Sequence, residues 1–188
     1  MGRAGLTALA AALVLVSAAR AEVVEAHAHA PYVVHARADQ SLREALNAAT
    51  PITVDGRRFH GHTQWDVHWN FWWHEDAAGR CRITRVRTRL ATRLQMPELR
   101  RATPAQAARF ARYERALRAH EEGHVQLGRD AAQAIDRGIA ALPAAGSCAA
   151  LEERANALGR RLLAEHAARD KHYDRATGHG ASQGAQLD

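Results

Sequence analysis

His120-Glu121-Glu122-Gly123-His124 is the stretch on which the reading of this chain turns. The five residues fit H-E-x-x-H, the pattern of a zinc-hydrolase helix. Residues four apart on an α-helix lie on one face, one turn above each other. Two imidazoles at that spacing can share one tetrahedral Zn²⁺. Glu121 then sits about 100° around the helix from His120. From there its carboxylate can reach a water on the metal and act as general base.

The flanking sequence predicts one long helix around this motif. Thr103-Pro104-Ala105-Gln106 is a capping box with proline at the first helical position. Phe110, Tyr113, Leu117, His120, His124, Leu127, Ala131, Ile135, Ile139 and Leu142 keep three-and-four spacing, a single buried stripe. Pro143 and Gly146 end it. The two histidines interrupt the apolar stripe instead of lying on the solvated face. Burying two imidazoles one turn apart costs free energy unless both find partners, and a shared metal satisfies both.

Upstream, the pattern changes to strands. Tyr32-Val33-Val34-His35 reads as a short strand, and Ser41-Leu42-Arg43-Glu44 is a capping box opening a helix through about Ala49. Pro51 to Gly61 is turn-rich, so His60 and His62 read as loop residues. From Gln64 to Trp73 the residues alternate, with Trp65, Val67, Trp69, Phe71 and Trp73 on one face, an aromatic core face. Glu75 to Arg80 reads as a hairpin loop and Cys81 to Leu90 as the returning strand. A last helix is predicted from about Ala149 to Asp170, with Leu151, Ala155, Leu158, Leu162 and His166 as its stripe. Gly-rich Tyr173 to Asp188 is expected to be non-helical. The fold class is α+β: a small antiparallel sheet packed on the long H-E-x-x-H helix and a second, C-terminal helix.

The start of the chain reads as a secretory leader over residues 1–21. Arg3 is followed by an apolar run from Leu6 to Ala19, too short to span a bilayer, and Ala19-Arg20-Ala21 is an A-x-A-like cleavage site. Residues 22–188 would then form one domain, exported to the periplasm or secreted, with no stable membrane insertion. Glu22 to Pro31, rich in Ala and His, reads as a mobile mature N-terminus. The net charge of +6 does not point to nucleic acid: Lys171 is the only lysine and no aromatic-basic platform accompanies the arginines. Cys81 and Cys148, an even count in an exported chain, predict a disulfide. It would close a loop containing the whole motif helix, worth about 4 kcal/mol in the chain-entropy picture.

Several of these stretches together resemble a known family. Trp65-Asp66-Val67-His68-Trp69, Cys81, the His120–His124 motif, Cys148 and the tail Tyr173-Asp174-Arg175-Ala176-Thr177-Gly178-His179-Gly180 are similar to the predicted secreted bacterial zinc-dependent proteases classed as domain of unknown function 922. The resemblance covers most of residues 22–188. It implies a zincin-like, exported metallopeptidase with one Zn²⁺ per chain.

A catalytic zinc keeps three protein ligands and one open position. His120 and His124 supply two, and His179, inside the family-like tail motif, is the expected third. Its rivals are Asp130, Glu165 (with Glu152 and Glu153 on the same helix) and His172. Asp174 is a candidate to orient a ligand imidazole, and Tyr173 a candidate oxyanion donor. The expected function is hydrolysis of a peptide or protein substrate, with Glu121 moving the proton. The alternatives are a zinc-stabilised binding module without turnover and a zinc amidase acting on a non-peptide substrate.

Overall fold

The computed structural model describes residues 19–187. The expected leader falls outside these residues except for Ala19 to Ala21. In chain order the elements are β1 (Arg20–His29), β2 (Tyr32–His35), α1 (Leu42–Ala49), β3 (Thr53–Val54), β4 (Arg57–Arg58), β5 (His62–Glu75), β6 (Cys81–Gln95), β7 (Pro97–Arg101), α2 (Pro104–Ala140) and α3 (Cys148–Thr177). A 3₁₀ turn, Ala181–Gln183, closes the chain. Among the described residues no helix is long and apolar enough to cross a membrane.

Strands β5 and β6 form the long hairpin that the alternation predicts, and β6 is the centre of a three-stranded sheet ordered β1-β6-β5. The alternation holds over Trp65, Val67, Trp69 and Phe71, which pack toward the helices. The ladder shifts register between Trp72 and Trp73, where Thr84 of β6 is left unpaired; Trp73 still touches Phe71, ring centroids 5.8 Å apart, but, toward the end of the sheet, is 40% exposed.

Two expectations are corrected here. Glu22 to Pro31 is not mobile: most of it is β1, which runs parallel to β6 and covers that strand's second edge. Val23 packs on the core, Glu25 accepts from Arg129 Nε at 2.8 Å, and Glu22 pairs with Arg85 and Arg87. Its apolar residues are mostly alanine, which is depleted in strands, so it does not look like a strand alone, but backbone pairing with β6 fixes it. The sheet is therefore mixed and not purely antiparallel. Separately, β2 pairs with β7 in parallel and β3 with β4 in a small hairpin.

Both capping boxes form, at Ser41 for α1 and at Thr103 for α2. The N-terminal half of α2 packs Tyr113 and Leu117 into one apolar cluster with Val34, Leu42, Leu46, Leu94 and Met96. Its C-terminal half packs Ala131, Ile135 and Ile139 into another with Val67, Val86, Leu90, Leu151 and Ala155. His120, Glu121 and His124 lie at the seam between these cores. The Cys81–Cys148 disulfide is present and ties the start of β6 to the start of α3. Backbone bonds between Cys81 and Ala145, 3.0 and 2.9 Å, reinforce the joint.

The second correction concerns the tail. Helix α3 does not stop near Asp170 but continues to Thr177, capped by Gly178 in the left-handed region. The following residues fold back, and Leu187 is buried in the cluster under α1. Along α3, close approach depends on Gly159: a Cβ there would lie 2.6 Å from the Trp69 ring. Trp69 also donates from Nε1 to Asn156 Oδ1 at 3.1 Å. Gly159→Val should therefore destabilise the protein by about 1–3 kcal/mol through overpacking. Thermal and urea unfolding should show a lower midpoint than for Gly159→Ala, which in turn should lie below the wild type.

Candidate metal centre

The hairpin of α2 and α3 sets two four-residue ladders against each other. His120 and His124 stand one turn apart on α2, and Asp170 and Asp174 one turn apart on the final turns of α3. The helices run antiparallel, so His124 meets Asp170 while His120 meets Asp174. Both imidazoles are buried, with side chains 3% and 7% exposed.

Three atoms converge where the ladders meet. His120 Nε2 and His124 Nε2 are 3.3 Å apart, and each lies 3.2 Å from Asp174 Oδ1. The outer ring nitrogens are already committed. His124 Nδ1 donates to Asp170 Oδ1 at 2.8 Å, and Asp170 is itself held by Trp65 Nε1 at 3.1 Å. His120 Nδ1 donates to Gln183 Oε1 at 2.9 Å, while Gln183 Nε2 donates to the Tyr173 hydroxyl at 3.0 Å. In the neutral imidazoles these bonds put each proton on Nδ1 and leave Nε2 as a lone pair. Two lone pairs and a carboxylate oxygen then face one another at a half-buried point, an arrangement that positive charge between them would favour.

A proton can supply part of that charge. Burial lowers the His124 imidazole, but Asp170 and Asp174 outweigh it and raise its pKa from 6.5 to about 10. Burial pushes the Asp174 carboxyl up, yet hydrogen bonds from His120 and His124 hold it well below the usual carboxylate range. A divalent ion supplies it more fully. Four ligands at the usual Zn–N length of about 2.0–2.1 Å lie about 3.3–3.4 Å apart on a tetrahedron, close to the three separations found. The outward bonds to Asp170 and Gln183 are those that orient metal-binding imidazoles.

Glu121 lies beside this cluster, 3% exposed, and its Oε2 has no hydrogen-bond partner. Burial holds its pKa above the ordinary carboxylate value. The carboxylate fits only because residue 61 is glycine, since a Cβ there would stand 2.6 Å from Glu121 Oε1. Gly123, the variable position before His124, has the same role on another side. A Cβ on it would overlap the Tyr173 hydroxyl, whose ring stacks on His120 at 5.0 Å and 14°.

His120, Glu121, His124 and Asp174 line one cavity of about 270 Å³, together with His62 and His179. The structure brings His179 to the site, but against Asp174 and not among the three converging atoms: His179 Nδ1 lies 3.2 Å from Asp174 Oδ1. Asp174 faces both Nε2 atoms directly and does not stand behind an imidazole. The Tyr173 hydroxyl is spent on the His120 carbonyl at 3.3 Å, so it does not face the cavity as an oxyanion donor. Asp130 is exposed and accepts from Gln126, Glu165 pairs with Arg161, and Glu152, Glu153 and His172 face solvent. His62 opens β5 and is not a loop residue. Asp170 and Gln183 are absent from the sequence-based expectations. Asp170 and Asp174 at i,i+4 are a readable signal once α3 is known to continue; Gln183 carries none.

Residues 29–180 match the family model described as bacterial protein of unknown function (DUF922), and the chain belongs to that family. No curated protein and no solved structure matches it.

The raised His124 pKa has a stability consequence for metal-free protein. A group whose pKa is raised on folding stabilises most below its unfolded value and loses that contribution as pH climbs through the folded one. Stability measured in chelator should therefore fall from about pH 6.5 to about pH 10. Thermal melting across this range should show the decline, and Asp170→Asn should flatten it.

Proposed function

We propose that this protein is an exported zinc-dependent peptidase. The observation that carries the reading is the meeting of His120 Nε2, His124 Nε2 and Asp174 Oδ1 within 3.3 Å, beside a buried carboxylate, Glu121, with an unpartnered oxygen. His120, His124 and Asp174 would hold the ion, and His179 would brace Asp174. Zn²⁺, when bound, would supply a Lewis acid and bring the pKa of a water it holds toward about 7.

The chain's own residues have separate tasks. Glu121 Oε2 accepts the proton of the attacking water and returns it to the leaving amine nitrogen. Its raised pKa suits both halves of that transfer. Asp170 and Gln183 keep the imidazoles in the Nδ1–H form. Strand β5 is an edge of its sheet, and a groove of about 430 Å³ follows His62 to His68 along it, ending at Asp170. An extended peptide can pair with that edge and bring its scissile carbonyl to the cavity. The disulfide fits an exported protein.

One observation favours a second reading. His179 Nδ1, 3.2 Å from Asp174, is close enough to become a fourth protein ligand and close the site. A zinc-stabilised binding module would result.

Elemental analysis and peptide hydrolysis separate the two. We expect one zinc per chain in the wild type, lost in Asp174→Ala and retained in His179→Ala. Glu121→Gln should keep zinc and lose at least about a hundredfold in kcat, the scale of a missing general base. Zinc lost in His179→Ala, with no hydrolysis by the wild type, would select the closed module. A chain that takes up no zinc would overturn both readings.

A further inference from the structure

The cavity beside His120 and His124 has a second end that the proton chemistry does not use. There the wall is built by α1 and the β3–β4 hairpin, and it carries Arg43 and Arg58. Arg58 Nη1 donates to the Asn47 carbonyl at 2.6 Å, which fixes the hairpin against α1 and leaves the rest of the guanidinium unspent. Arg43 makes no ion pair with a described residue. Between them and the metal end lies His60, tied at both nitrogens: Nε2 donates to Asn47 Oδ1 at 2.8 Å and Nδ1 accepts from Tyr113 at 2.7 Å. Burial, with Arg43 adding, pushes the His60 imidazole down to about 4, so it stays neutral.

The charge of the cavity is thus divided. All three of its carboxylates, Glu121, Asp170 and Asp174, stand at the metal end, and both of its arginines at the other. No acid lines the cavity at that end. Both arginines are exposed residues, and a guanidinium fork on a cavity wall presents paired N–H donors that match planar anions, carboxylate above all. At about 270 Å³ the cavity lies at the small end of ligand sites, room for one residue and not a long ligand.

We infer that Arg43 and Arg58 form a specificity subsite for a carboxylate carried by the substrate residue next to the scissile bond. The inference rests on the peptidase reading for the word substrate, while the subsite itself is a binding property. Two sources can present the group: an Asp or Glu side chain within a peptide, or the α-carboxylate at a peptide's C-terminus. The first would make the protein an endopeptidase selective for acidic residues, the second an enzyme that removes C-terminal residues.

Titration calorimetry on the zinc-supplied Glu121→Gln protein tests this without turnover. Four probes suffice: acetyl-Glu-Ala methylamide, its Gln counterpart, and acetyl-Ala-Ala as free acid and as methylamide. One charged probe should bind at least about tenfold tighter than its neutral partner, and the pair that discriminates identifies the source of the carboxylate. Arg43→Met should erase the preference while zinc content and melting midpoint stay at the parent values. Arg58→Lys, which retains a donor for Asn47, should reduce it in part. Equal affinity within both pairs, or no measurable binding of either charged probe, overturns the subsite. Preference that survives Arg43→Met would put the carboxylate on the metal and overturn it too. Absence of hydrolysis by wild type refutes the peptidase reading alone, since these titrations do not depend on it.

Discussion

Two imidazole nitrogens and a carboxylate oxygen brought together in one buried seam are the constraint around which this molecule is organised. His120 Nε2, His124 Nε2 and Asp174 Oδ1 lie within 3.3 Å of one another, and positive charge among them, as on the His124 imidazole whose pKa is raised to about 10, makes that approach favourable. The approach is imposed by what surrounds it. Two apolar clusters grip α2 on either side of the motif, and α3 is fastened to the sheet by a disulfide at one end and by Trp65 and Asp170 at the other. Such a frame holds the three atoms together, and a proton on His124 already makes their meeting favourable in the metal-free protein.

Absent side chains are as important as present ones. Glu121 and Tyr173 both pack where a Cβ would stand, over Gly61 and Gly123. Each glycine removes a methyl so that a functional group can lie flush against a backbone. The Tyr173 ring then stacks on His120 and closes its apolar side, while the hydroxyl completes a circuit through Gln183 back to the same imidazole. The circuit explains why residues far along the tail belong to the site. Gln183 fixes the His120 tautomer only because the chain after Gly178 turns back over α2, and buried Leu187 anchors that return.

The elements with strong local signals were legible from sequence alone: both capping boxes, the alternating β5, the long α2 and the cysteine pair. Local patterning failed where an external partner decided the structure. The apolar residues of β1 are mostly alanine, and only the free edge of β6 makes it a strand. Tyr173 to Thr177 precedes a glycine-rich run, so composition predicted coil. The segment is helical because Tyr173, Asp174 and Thr177 dock on His120. That single misjudged boundary hid the second half of the site. With the helix ended at Asp170, Asp174 cannot be seen as the partner of Asp170 one turn on, and it reads only as a candidate to orient an imidazole.

His179 keeps a distinct part in this arrangement. It adopts φ +53 between two glycines that are also left-handed, a conformation a β-carbon disfavours. The turn it makes reverses the chain after α3 and carries Gly180 against the His120 ring, where a Cβ would approach to 3.0 Å. Its imidazole meanwhile touches Phe59 at 4.9 Å and Asp174 at 3.2 Å, joining the tail to the segment just after β4. One residue thus links the tail, the acidic end of the cavity and the wall leading toward its basic end. Its side chain is 37% exposed at that junction, whereas those of His120 and His124 are buried at 3% and 7%. The family-like tail motif is best understood in this light. It is a reversal that positions Asp174 and Gln183, with its histidine as the brace between the metal end and the mouth of the cavity.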